Sequence, residues 1–168
     1  MNPKSYKVCL IKQLKLLLFI SCVLFITSCA KDTDQIHQKI TSKLFDDIIQ
    51  DAEFVITENN FRITNRLHIG DAIQKRGNTN FPQNEVILFC NLTIAEEMLL
   101  IEPRYINYCP YKITVTQNGE ATIIATRLLP TRTGNRQMDD FAKKINKILI
   151  SMVEYAASED PFILEEND

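Results

Sequence analysis

The sequence predicts an α+β domain built on an antiparallel sheet of four to five strands. Three observations carry that expectation. Segments that alternate with a period of two interleave with segments of helical spacing along most of the chain. Two neighbouring alternating segments meet at Asn118-Gly119, which marks an antiparallel hairpin rather than a parallel crossover. The 168 residues are 45% hydrophobic, enough to fill the core of one globular domain and too apolar for a disordered chain.

The elements follow in order. Gln35 to Lys43 alternates weakly and reads as a first strand, with Ile36 and Ile40 sharing a face. Phe45, Ile48, Ile49, Ala52, Val55 and Ile56 recur at helical spacing. Asp46 and Asp47 complement the positive end of that helix's dipole, and Asn59-Asn60 ends it, because Asn tolerates the left-handed conformation. Phe61, Ile63, Asn65, Leu67 and Ile69 alternate with Arg62, Thr64, Arg66 and His68, the pattern of a half-buried strand. A short helix over Gly70 to Arg76 is closed by Gly77, and Asn78 to Asn84 forms a loop.

Glu85 to Asn91 is apolar on both faces, as a central strand is. A helix over Leu92 to Ile101 stops at Pro103. Tyr111 to Thr116 and Glu120 to Leu128 form the hairpin, with Asn-Gly suited to a type I′ turn. Gln137 to Ala157 is the longest helix, with Met138, Phe141, Ile145, Ile148, Leu149 and Met152 as its buried stripe.

The amino-terminal residues read as an address. Lys4, Lys7, Lys12 and Lys15 are the only charges among the first 28 residues, and the apolar run Leu16 to Ile26 follows them. Eleven residues are too few to span a bilayer, which takes roughly 20. The run ends in Ile26-Thr27-Ser28-Cys29, an aliphatic residue and two small ones before a cysteine. That pattern resembles a bacterial lipobox, in which the cysteine thiol is acylated at the membrane surface and small residues admit the peptidase.

Residues 1–28 are therefore expected to be a lipoprotein signal peptide, with Cys29 lipidated and 29–34 a short linker. Residues 35–157 form the single domain, and 158–168 an acidic tail. Ala30 after the cysteine favours placement in the cell envelope on the outer membrane, facing the periplasm. Removal of four lysines takes the charge from −2 to −6, with 19 − 4 = 15 Lys+Arg against 21 Asp+Glu. Such a domain has no electrostatic reason to bind nucleic acid, and its membrane contact is the acyl anchor.

Several segments resemble the domain-of-unknown-function 302 family. They are Asn60 to Gly70, Glu85 to Leu92, Pro103, Cys109-Pro110 and the Tyr111 to Leu128 hairpin. Together they cover residues 35 to 157 in the family's order. The resemblance implies a TATA-binding-protein-like antiparallel sheet backed by helices on one face, and a capacity to form homodimers. It implies no reaction. Leu67 departs from the pattern, since a polar residue more often precedes the histidine.

The candidate site residues are few. Cys90 and Cys109 are the thiols left once the leader and Cys29 are set aside. In an oxidising compartment they suit a disulfide, which would close a loop of about 20 residues worth roughly 3 kcal/mol by chain entropy. They equally suit two buried small hydrophobes. With His68 they would offer Cu(I) or Zn(II) two thiolates and an imidazole, although no C-x-x-C or H-x-x-x-H spacing supports a metal.

His68, Asn91, Arg66 and Pro110 are candidates to line a ligand pocket at the strand ends. Against this, Asn91 suits the cap of the helix that follows, and Arg66 a solvated strand position. Adjacent pairs Glu96-Glu97 and Asp139-Asp140 point in different directions on their helices and make poor acid–base pairs. With no nucleophile elbow, zincin motif or phosphate-cradling glycine loop, the expectation is a non-enzymatic domain that binds a small ligand or a partner protein, without a cofactor. The alternative is a metal- or redox-handling protein using Cys90, Cys109 and His68.

Overall fold

A computed structural model describes residues 35–159. Cys29, the leader and the tail from residue 160 lie outside them. The elements run β1 (Ile36–Thr41), α1 (Phe45–Glu58), β2 (Arg62–His68), α2 (Ile69–Gln74), β3 (Asn84–Cys90), α3 (Leu92–Ile101), a 3-10 helix (Pro103–Tyr108), β4 (Tyr111–Asn118), β5 (Ala121–Arg127) and α4 (Arg136–Ala157). The five strands form one antiparallel sheet in the order β1-β5-β4-β3-β2. The class is α+β, as the sequence indicated.

Helices cover one face of this sheet. Ile87, Phe89, Tyr111, Ile113, Val115 and Ile124 point into the core, where they meet Ile48, Ala52 and Ile56 of α1 and Met138, Ile145, Leu149 and Met152 of α4. Phe61, Phe89 and Tyr111 form an edge-on aromatic group within it, with the Phe61 centroid 5.5 Å from Phe89 and 5.8 Å from Tyr111. Asn146 of α4 is buried, but its amide oxygen accepts from Leu129 N and its amide nitrogen donates to Leu129 O, each at 2.8 Å. Among the described residues no helix is long and apolar enough to cross a membrane.

Along β1 the opposite face lies open among the described residues. Ile36 and Ile40 do share a face of β1, as their spacing suggests, but it is this bare one, and they are 61% and 64% exposed. His37 and Lys39, on the covered face, pair instead with Glu154 of α4 at 2.9 and 2.7 Å.

Asn60 ends α1 with φ 61, the left-handed conformation expected of it. β3 has the two-sided apolar character read from its sequence and lies inside the sheet, although β4 is its middle strand. The β4–β5 turn differs from the expected one. Asn118 pairs with Ala121, so Gly119 and Glu120 are the central residues. Gly119 has φ 63 and Glu120 does not have positive φ, which fits a type II′ turn, where glycine is needed only at the first central position.

A second difference bears on the site. The ladder between β2 and β3 shifts register between Ile63 and Asn65, leaving Thr64 as an extra residue. A bulge of one residue exchanges the two faces of everything beyond it. Ile63 pairs with Phe89 on the covered face, but after the bulge Arg66 and His68 occupy that face, opposite Ile87 and Glu85. Leu67, expected beside Ile63, turns to the bare face and is 39% exposed.

Candidate functional site

The sequence-derived candidates fall into two groups at opposite ends of the β2–β3 ladder. At one end stand His68 and Arg66. Both reach Glu85, whose residue is only 7% exposed. The Arg66 guanidinium donates to Glu85 Oε1, and through Nη1 to Glu53 Oε1 of α1 at 2.8 Å. His68 Nδ1 lies 3.0 Å from Glu85 Oε2, within hydrogen-bond distance. Arg66 is therefore not a solvated strand charge. The bulge has turned it onto the covered face, where it neutralises the Glu85 carboxylate, and burial of that carboxylate without a partner would be costly.

At the other end, β3 finishes with Cys90. Arg62, not His68, is its cross-strand partner. Five residues of β3 separate Cys90 from Glu85, the partner of His68, a span of roughly 17 Å at about 3.3 Å per residue. The structure does not assemble His68 with the two cysteines. Among the described residues no group of three or more His, Cys, Asp or Glu side chains is arranged to hold a metal ion.

Cys90 and Cys109 do meet. Their Sγ atoms are 2.8 Å apart, and both side chains are half-buried. Burial, together with the hydrogen bond and charge of Cys109, pushes the Cys90 thiol up to about 12. Asn91, the next residue, is occupied as a cap. Its Oδ1 accepts from the backbone N–H groups of Thr93 and Ile94 at 3.0 and 3.1 Å, and its Nδ2 donates to Asn60 O at 2.8 Å. These three bonds tie the start of α3 to the end of α1, which is a structural role.

Pro110, joined to Cys109 by a cis peptide bond, faces a cleft that the sequence reading did not locate. Two adjoining recesses of about 380 and 60 Å³ share Asn107, Tyr108 and Arg127. Arg104 and Tyr105 complete the larger one, and Pro110, Tyr111 and Lys112 the smaller. The wall comes from the 3-10 helix. Side chains at i and i+3 eclipse in that geometry, so Tyr105 and Tyr108 stack with centroids 5.2 Å apart and planes at 27°. Pro103 occupies its first turn, where a missing N–H costs nothing.

The floor comes from the bare face of the sheet. Ile113 pairs with Thr126 on the covered side, so Lys112 and Arg127 beside them point the other way. The Arg127 guanidinium carbon lies 5.2 Å from the Tyr108 centroid, a cation–π contact. Arg104 is partnered by Glu102, donating at 2.9 Å from Nε and 2.8 Å from Nη2, and this holds the Glu102 carboxyl down at about 2. Burial raises the Tyr105 hydroxyl above its ordinary range, so it stays protonated near neutrality. The cleft thus offers the cationic side chains of Arg104, Lys112 and Arg127, an aromatic stack and the Asn107 amide. The sequence reading passed over Tyr105 and Tyr108, whose Tyr-x-x-Tyr spacing behind Pro103 is the local signal that points to it.

A model of the domain of unknown function DUF302 matches residues 37–156. The fold is similar to the crystal structure of an uncharacterized conserved protein DUF302 from Bacillus stearothermophilus. That likeness has a TM-score of 0.65 and 17% identity over 73% of this chain and 98% of that one. At such identity it speaks for the fold. No curated protein matches the chain. With residues 37–156 matched, the chain belongs to the DUF302 family.

Proposed function

We propose that this protein is a lipid-anchored domain of the bacterial envelope, held at Cys29 and facing the periplasm, that binds a small anionic ligand without transforming it. The observation that carries the binding reading is the cleft beside Pro110, where Lys112 and Arg127 flank the Tyr105–Tyr108 stack. A carboxylate or phosphate fits such a site. The guanidinium supplies directional donors and the ammonium adds charge, while the tyrosine faces hold an apolar body. Residues 35–157 carry 14 basic against 14 acidic side chains, so the cations of the cleft are a local concentration on a domain of no net charge. That favours a discrete site over general attraction of anions.

The anchoring half of the reading rests on the leader and its lipobox-like end, Ile26-Thr27-Ser28-Cys29. Alkyne-palmitate labelling of cells making the full chain tests it. The wild type should take up label in the membrane fraction, and Cys29→Ser should not. Equal labelling of both would end the proposal.

Calorimetric titration with inorganic phosphate and with benzoate tests the cleft. Saturable binding of either, weakened by about tenfold in Arg127→Gln, is the expected result. No heat from either probe at millimolar concentration, or undiminished binding in the variant, would remove the cleft from consideration.

A further inference from the structure

We infer that Cys90 and Cys109 are a redox-active pair, which an external disulfide oxidant closes into an intramolecular disulfide that fixes one wall of the ligand cleft. The coupling to the cleft rests on the binding function proposed above. The disulfide itself does not.

The geometry carries the inference. The two sulfurs stand 2.8 Å apart, so a bond needs only a small further approach. They also stand at the two ends of one segment. Cys90 is the last residue of β3, and Cys109 follows the 3-10 helix directly. Everything between them, α3 and the 3-10 helix with Tyr105 and Tyr108, is one excursion of the chain that leaves the sheet at Cys90 and returns at Cys109, with Met98 packed in the core between. A bond there turns an open excursion into a closed ring. Pro110, which lines the smaller recess, is the residue after the bond.

The chemistry balances as two exchanges. One thiol of the pair loses its proton, and its thiolate attacks one sulfur of the oxidant, R–S–S–R. This forms a mixed disulfide and expels one RS⁻, which takes that proton. The other thiol then loses its proton, attacks the protein sulfur of the mixed disulfide and expels the second RS⁻, which takes the second proton. Two protons and two electrons leave the protein, and two RSH are formed.

The test reads the bond directly. The full chain is made in a bacterial envelope, trapped with N-ethylmaleimide and digested with trypsin without reduction. Purified reduced protein is treated in parallel with excess oxidised glutathione. The expected product is the peptide 77–104, carrying Cys90, linked to the peptide 105–112, carrying Cys109, the two separating on reduction. Peptides that run apart with labelled thiols after glutathione treatment, or that end as glutathione adducts, would overturn the inference.

The coupling is read from phosphate and benzoate affinity in the oxidised, reduced and Cys90→Ser/Cys109→Ser forms. Preorganisation should make the oxidised form bind about threefold tighter or better, with the double variant matching the reduced form. Equal affinities overturn the coupling. If neither probe binds any form while the peptides are linked, the cleft reading fails and takes the coupling with it, and the disulfide stands.

Discussion

His68 and Glu85 face each other across the last rung of the β2–β3 ladder, with Nδ1 3.0 Å from Oε2. The histidine is the lesser partner. Its side chain is 54% exposed, whereas that of Glu85 is 7% exposed and also takes the Arg66 guanidinium. Glu85→Ala should therefore cost about 2 kcal/mol, because it takes the buried partner from Arg66 and leaves the guanidinium with Glu53 alone. An orphaned buried charge costs about 3–5 kcal/mol, and both Glu53 and solvent at the partly exposed Arg66 lower that. His68→Ala should cost no more than about 0.5 kcal/mol. Urea denaturation of the two variants decides the matter, and equal losses would contradict this assignment of roles.

Asn91 was a ligand candidate by sequence and is a helix cap in the structure. Asn91→Ala should lower stability by about 1 kcal/mol, typical of a lost cap. Phosphate and benzoate binding should be unchanged. A variant of normal stability with lost binding would return Asn91 to the cleft.

Gly70 sits at the start of α2 against the loop before β3. A β-carbon there would lie 2.7 Å from both Asn84 N and Pro82 O. Both neighbours are backbone and cannot swing aside, so Gly70→Ala should destabilise by about 1–3 kcal/mol, the usual cost of overpacking. A thermal melt with an unchanged midpoint would show that the loop yields freely.

The Cys90 thiol supplies a pH signature of the reduced protein. Its folded pKa is raised from 9.0 to about 12, chiefly by burial. The folded state therefore holds this proton more tightly than the unfolded chain. The resulting stability is complete below pH 9 and is lost as pH rises from 9 towards 12. The urea midpoint of the reduced wild type should fall more steeply over that window than that of Cys90→Ser. Parallel profiles would show that the thiol does not titrate as its burial requires.

Much of this architecture is legible along the chain because its causes are local. The stripe from Met138 to Met152 repeats every three to four residues, so α4 follows from spacing. Asn59-Asn60 and Pro103 end their helices through backbone geometry that each residue carries with it. The hairpin is equally visible, although the choice of Gly119-Glu120 as its centre was set by the register of β4 on β5.

What the sequence by itself determined was the order of the elements, the α+β class and the identity of the capping residues, each a property of short windows. What only the tertiary structure decided was which residues meet. The extra residue at Thr64 exchanges the faces of β2, placing Arg66 and His68 over Glu85 rather than Leu67 in the core. The same antiparallel pairing sets Cys90 opposite Arg62, far from His68, and brings Cys109 back against it. The reason is physical. Periodicity records how a strand is made, whereas register and bulges are fixed between strands, by which pairing buries the most apolar surface and leaves the fewest charges alone.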